Sequence, residues 1–147
     1  MCCREYFDRH SGLNEQMRKI LVDWLVDVHR KFKLRPATLF MAINIVDRYL
    51  ELTTDSISKS KYQLFGITCL FIAAKYEEIY PPGLGDFVYV CADTYSAYQI
   101  LEMEGVILNR LNFNLVYTSC LQLFGIYAEE SRRLLTQNCS TKEKDTW

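Results

Sequence analysis

Glycine and proline are scarce in this chain of 147 residues, which has six of the first and three of the second. Long helices are therefore permitted, because few residues interrupt the helical hydrogen-bond pattern. Half of the residues are apolar and 14% are aromatic, enough to bury a core and far from a disordered composition. The length suits one domain of ordinary size.

Patterns that hold metals or activate nucleophiles are also lacking. The six cysteines, at positions 2, 3, 69, 91, 120 and 139, form no C-x-x-C pair, and neither His10 nor His29 has metal-ligand spacing. No nucleophile elbow, phosphate-binding glycine loop or zinc motif occurs. Glu77 and Glu78 are adjacent on a predicted helix and point apart, so they form no catalytic dyad. We therefore predict a protein that is not an enzyme, needs no cofactor or metal, and lies in a reducing compartment.

Charge is nearly balanced, at a net value of -1, but it is unevenly distributed. Residues 1–36 carry eight basic and five acidic side chains, whereas residues 75–105 carry one lysine and six carboxylates. No basic stripe forms, which argues against a nucleic-acid-binding protein. No leader pattern and no uncharged run of membrane-spanning length occur. The expectation is a soluble intracellular protein with neither nucleic acid nor membrane as a partner.

Helical periodicity runs through most of the chain. Apolar spacing and capping residues predict six helices, over about residues 14–32, 36–52, 60–78, 84–92, 96–111 and 119–135. The fourth would also pass for a strand, because Phe87 to Val90 are apolar and β-prone. The third has no charged residue from Leu64 to Ala74. A helix that is apolar all round is enclosed by others, so we predict an all-α bundle around this central helix.

Three ionisable residues interrupt apolar stripes. Asp47 shares a stripe with Ile43 and Leu50, so it needs a cation from another helix unless it reaches water at the edge of the stripe; Arg18 is the best candidate. Glu104 interrupts the stripe of the fifth helix, and Lys75 ends the central helix. Periodicity leaves open whether Lys75 and Glu104 pair with each other or face a partner protein.

Four motifs in the same linear order resemble the cyclin box. Residues 17–28, MRKILVDWLVDV, resemble its opening, and residues 75–82, KYEEIYPP, resemble its signature K-[FY]-E-E-x-x-P-P. Residues 47–50, DRYL, and the pair Met103–Glu104 fall where the family has D-R-[FY]-L and M-E. The chain is thus similar to the cyclin family over about residues 14–125, and within it to the mitotic A/B type, with B-like features.

The resemblance implies the first, five-helix repeat of a regulatory subunit that binds and allosterically activates a cyclin-dependent protein kinase in mitotic cell-cycle control, in the nucleus and cytoplasm. Its third and fifth helices would dock on the mobile helix of the kinase N-lobe and complete the ATP site. The positions implied to bind the kinase are Lys75, Tyr76, Glu104, Leu108 and Leu115. Gly105 departs from the family, which has a larger residue there.

A second implied site is a groove that binds Arg-x-Leu peptides of substrates or inhibitors. Its positions match Met17, Ile20, Leu21, Trp24, Asp27 and Gln63, with Asp27 facing the peptide arginine. The alternative is that the apolar members are core residues, and for Leu21 this is partly expected. Arg18 and Asp47 match the internal ion pair of the family, in agreement with the argument from the apolar stripe.

The implied organisation is a short N-terminal segment (1–13), the cyclin box (14–115), a linker helix (116–136) toward an absent second repeat, and a polar tail (137–147). Two alternative functions share the fold: a transcription factor or adaptor, and a scaffold that works without a kinase through the peptide groove alone. The acidic segment and the missing basic face count against DNA binding.

Overall fold

We describe residues 12–53 and 57–142 of the protein from a computed structural model. These residues form six helices and no strand, which confirms the all-α prediction. Residues 1–11 of the predicted N-terminal segment and residues 143–147 of the predicted tail lie outside the described residues. The helices are α1 (Glu15–Lys31), α2 (Pro36–Leu52), α3 (Lys59–Glu77), α4 (Leu84–Val90), α5 (Ala97–Arg110) and α6 (Cys120–Lys142).

Local capping residues fix where most helices begin. The Asn14 side chain accepts a hydrogen bond of 2.8 Å from the Met17 backbone N–H at the start of α1. Pro36 occupies the first turn of α2, where a missing N–H costs nothing. Ser96 and Gln99 form a reciprocal capping box at α5, and Ser119 forms the same arrangement before α6.

Two expected helix boundaries are wrong, and the helix predicted for the fourth segment is confirmed. The capping box predicted at Ser60 does not form, because a hydrogen bond from Lys61 N–H to the Ser58 carbonyl already starts α3 one residue earlier, at Lys59. The strand considered for Phe87 to Val90 is instead the end of the short helix α4. The last helix continues to Lys142, beyond the end expected near residue 135.

The central position of α3 is the main organising feature. Its residues from Leu64 to Ala74 are all buried, and it contacts α1, α2, α4 and α5. The only hydroxyl in this run belongs to Thr68, which donates to the Leu64 carbonyl at 2.7 Å, so its own donor is paired. The predicted central apolar helix is therefore confirmed.

Gly66 allows α1 to approach α3 closely. A Cβ atom at this position would lie only 2.5 Å from Leu21 Cδ1, so no larger residue fits without moving Leu21. The close approach seats Leu21 in the core, where it is 5% exposed, and leaves the outer sides of α1 and α3 to form a groove.

The chain forms two compact units, residues 1–117 with helices α1 to α5 and residues 118–147 with α6. Several large apolar side chains of α6 are exposed, among them Phe124, Ile126, Tyr127 and Leu135. Within the described ranges, no helix combines the length and apolar character needed to cross a bilayer.

Candidate protein-binding sites

Arg18 and Asp47 join α1 to α2 through two hydrogen bonds. The guanidinium Nε and Nη2 donate to the two carboxylate oxygens at 3.0 and 2.9 Å. The two side chains are 23% and 28% exposed, so the pair is partly buried rather than enclosed. A fork-to-fork contact of this kind fixes the orientation of both groups, and here it holds the two helices in register.

An apolar groove with a volume of about 330 Å³ lies between α1 and the start of α3. Five of the six positions expected for peptide docking line it, together with two residues that sequence reasoning missed. Its lining residues are Met17, Ile20, Leu21, Trp24, Lys59, Tyr62 and Gln63. We call this feature the peptide groove, after the ligand that the sequence resemblance implies. Lys59 could have been predicted from the sequence, because it stands four residues before Gln63 on the same helical face.

The alternative that the groove positions are core residues holds for one of them. Leu21 is buried at the base, whereas Ile20 is 60% exposed on the outer side of α1. Asp27 does not line the groove. It stands one turn after Trp24 with its carboxylate 76% exposed, and among the described residues it pairs with Arg30 at 3.8 Å. The carboxylate is therefore accessible to solvent.

Tyr62 adds a buried polar atom beside this groove. Its side chain is 4% exposed, and its hydroxyl has no hydrogen-bond partner among the described residues. Burial raises the pKa of this phenol to about 12; the Arg18 cation opposes the shift, and the Asp47 carboxylate adds to it. The hydroxyl thus stays protonated at neutral pH and remains a potential donor.

Lys75 and Glu104 meet where the end of α3 packs against α5. The ammonium Nζ lies 2.5 Å from Glu104 Oε1 and 4.4 Å from the centroid of the Phe71 ring. The Glu104 side chain is 12% exposed, and its Oε1 makes no further hydrogen bond to any described residue. Lys75 is 45% exposed, so one side of the ammonium group remains open to a partner.

Apolar side chains flank this ion pair on both helices. Tyr76, next to Lys75, is 56% exposed. On α5, Leu101 and Leu108 lie three residues before and four residues after Glu104, on one helical face. Around Gly105 an added Cβ would meet no atom within 4 Å, so this part of α5 is open. We call the surface of Lys75, Tyr76, Leu101, Glu104 and Leu108 the α3–α5 face.

The fold thus places most, but not all, of the implied kinase-binding positions on one surface. Four of the five belong to the α3–α5 face, while Leu115 is a partly buried residue in the segment after α5. Leu101, at 47% exposure, is an additional member that sequence reasoning missed. It could have been predicted, because it stands two helical turns before Leu108 on the same face of α5.

Glu78 links the end of α3 to the start of α2. Its Oε1 accepts hydrogen bonds from the Arg35 backbone N–H at 2.7 Å and from the Thr38 hydroxyl at 2.5 Å. In return, the Arg35 guanidinium donates to the Glu77 carbonyl at 3.2 Å. Sequence reasoning missed this contact, although it placed Glu78 in the signature K-[FY]-E-E-x-x-P-P of residues 75–82.

The cysteines for which the structure gives side-chain surroundings are free thiols. Cys69 and Cys91 are buried and Cys120 is exposed. Burial raises the pKa of both buried thiols, that of Cys91 to about 11. Over the described ranges, no group of three or more potential metal ligands comes together.

Comparison with known proteins gives consistent matches. The chain matches the family described as "Cyclin, N-terminal domain" over residues 2–116. It is 52% identical over 109 residues to a G2/mitotic-specific cyclin-B of Marthasterias glacialis, a match that covers 74% of this chain and 28% of that protein. It is 43% identical over 122 residues to a G2/mitotic-specific cyclin-A of Hydra viridissima, covering 83% and 29%. The chain therefore spans less than a third of the length of these relatives.

A solved structure supports the same fold. The viral cyclin of herpesvirus saimiri superposes with a TM-score of 0.69 at 22% identity, over 75% of this chain and 47% of that one. The family match covers well over half of the present chain, and the motifs that resemble the cyclin box lie within it. The resemblance is therefore confirmed: this chain belongs to the cyclin family, with a cyclin N-terminal domain similar to those of mitotic A- and B-type cyclins.

Proposed function

We propose that this chain is part of a non-catalytic regulatory subunit that binds and activates a cyclin-dependent protein kinase in mitotic cell-cycle control. The G2/mitotic names of its relatives support the process, and the nucleus and cytoplasm are the proposed locations. The proposal rests chiefly on the contact between Lys75 and Glu104 within the α3–α5 face.

Binding to a partner protein explains this contact better than a contribution to folding stability alone. An exposed ion pair contributes at most about 1 kcal/mol to folding. Here the Glu104 side chain is 12% exposed and its Oε1 makes no second hydrogen bond to a described residue, and the ammonium group still has donors to offer on its open side. Exposed Tyr76 and Leu101 provide apolar area beside the two charges. A helix laid across this face would bury the apolar area and bring its backbone polar groups to both charged residues.

Activation follows from differential affinity. A kinase whose mobile helix moves between two positions is shifted toward the position that the cyclin binds more tightly. With that helix held inward, the kinase glutamate reaches the lysine that binds ATP. The cyclin supplies no reacting group. Its whole contribution is the free energy with which the α3–α5 face prefers the active arrangement.

Calorimetry with a purified cyclin-dependent kinase tests the proposal. Lys75→Ala and Glu104→Ala should each weaken binding at least about tenfold, because truncating one member of a desolvated charge pair commonly costs about 2–5 kcal/mol. Both variants should keep helical circular-dichroism spectra. Lys61→Ala, which removes an exposed lysine from the other end of α3, is the matched control. Unchanged affinity in both face variants, with the protein folded, would show that the interface is elsewhere.

A second candidate function is recruitment of substrates or inhibitors through the peptide groove. Its apolar lining suits a leucine side chain, and exposed Asp27 suits a nearby arginine. Trp24→Ala should abolish calorimetric binding of a short Arg-x-Leu peptide and leave kinase binding unchanged, since the groove and the α3–α5 face share no residue. A scaffold that uses the groove alone would bind the peptide but not the kinase, so the two titrations separate these functions.

A further inference from the structure

The start of α2 lacks a cap from its own sequence. Its N-cap residue is Arg35, whose side chain makes no capping hydrogen bond. The first backbone N–H groups of a helix have no partner within the helix and need an acceptor from elsewhere. Glu78, which is 43 residues away in the sequence, supplies that acceptor to the Arg35 N–H.

The contact is reciprocal, because the end of α3 needs hydrogen-bond donors whereas the start of α2 needs acceptors. The last carbonyl groups of a helix lack donors, and the Arg35 guanidinium provides one to the Glu77 carbonyl. Thr38, whose side chain is fully buried, directs its hydroxyl to the same oxygen of Glu78. We call the arrangement of Arg35, Thr38, Glu77 and Glu78 the helix clasp.

The helix clasp lies within one turn of the charged end of α3. Lys75 and Tyr76 precede Glu78 by three and two residues, and the Glu78 N–H closes the final turn on the Ala74 carbonyl at 3.0 Å. Unrestrained terminal turns fray, so the clasp holds the turn that carries Lys75 in helical form. While that turn is helical, the Lys75 ammonium group keeps its contact with the Glu104 carboxylate.

We propose that Glu78 is a positioning residue of the α3–α5 face, which keeps the last turn of α3 ordered for kinase binding. The inference rests on the proposed function of that face. Glu78 would touch no kinase atom and would act only through Lys75. A purely structural cap would lower the melting temperature without affecting this turn more than the rest of the domain, so the test must separate the two.

Hydrogen exchange of the free, full chain gives the first readout. Glu78→Ala should raise exchange of the amides of Lys75, Tyr76 and Glu77 about tenfold relative to wild type. Glu78→Gln keeps an acceptor oxygen and should largely restore protection. Asn14→Ala is the matched control, because it removes a comparable cap from α1 and should leave these three amides unchanged.

Kinase affinity, measured well below each melting temperature, gives the second readout. Glu78→Ala should weaken binding about tenfold, whereas Asn14→Ala should bind like wild type. If wild type fails to bind the kinase, the proposed function falls, and the exchange result alone decides the role of Glu78. If exchange or affinity in Glu78→Ala matches Asn14→Ala, the inference is overturned. Should Glu78→Ala not fold, Thr38→Val removes one of the two bonds to Glu78 and should raise exchange at the same amides.

Discussion

Replacing Asp47 by alanine tests how α1 and α2 are held together. The substitution removes both hydrogen bonds to Arg18 and leaves a partly buried guanidinium group without this carboxylate. Loss of one partner from a fully buried pair typically costs about 3–5 kcal/mol, whereas an exposed pair contributes at most about 1 kcal/mol. With the side chains 23% and 28% exposed, we expect an intermediate loss of about 2 kcal/mol in the free energy of unfolding.

For a domain of this size, such a loss lowers the melting temperature by roughly 6–8 °C. Thermal melts of wild type, Arg18→Ala, Asp47→Ala and the double variant form a double-mutant cycle that isolates the pair from other contacts of either residue. Asp27→Ala is the control, because this carboxylate is 76% exposed and lies 3.8 Å from the Arg30 guanidinium. It should change stability by less than about 0.5 kcal/mol. A coupling energy near zero would show that the contact between Arg18 and Asp47 does not stabilise the domain.

Two further variants concern the peptide groove, and alkaline unfolding adds a third prediction. Tyr62→Phe should raise the free energy of unfolding by about 1 kcal/mol in denaturant titrations, because it removes a buried hydroxyl without a described partner; lower stability would disprove this. Since the folded-state pKa of Tyr62 is raised from 10 to about 12, wild type should lose up to about 3 kcal/mol between pH 10 and 12, and Tyr62→Phe should lack that loss. Gly66→Ala should push Leu21 toward the groove, destabilise the domain by about 1–3 kcal/mol and weaken Arg-x-Leu peptide binding; wild-type peptide affinity would contradict this.

The sequence predicted most helix ends because those ends depend on adjacent residues. Asn14, Pro36 and the pair Ser96–Gln99 act within one turn of their own backbone, so their signal is local. The burial of α3 could also be predicted, because an uncharged run of that length has no charged face to contact water.

Contacts between distant segments were harder to predict. The acceptor for the start of α2 comes from Glu78, and no pattern near Arg35 indicates it. The pairing of Arg18 with Asp47 was predictable only because a carboxylate on an apolar stripe demands a cation. Tyr62 was missed because its role depends on how closely α1 approaches α3, which Gly66 determines.

One titration decides whether the α3–α5 face activates a kinase. An inactive, purified cyclin-dependent kinase is titrated with the full chain, and phosphorylation of a peptide substrate without an Arg-x-Leu motif is followed. Wild type should produce saturable activation at equimolar amounts. The folded Lys75→Ala, Glu104→Ala double variant should require a concentration at least about tenfold higher. Equal activation by wild type and the double variant would show that the α3–α5 face does not activate the kinase.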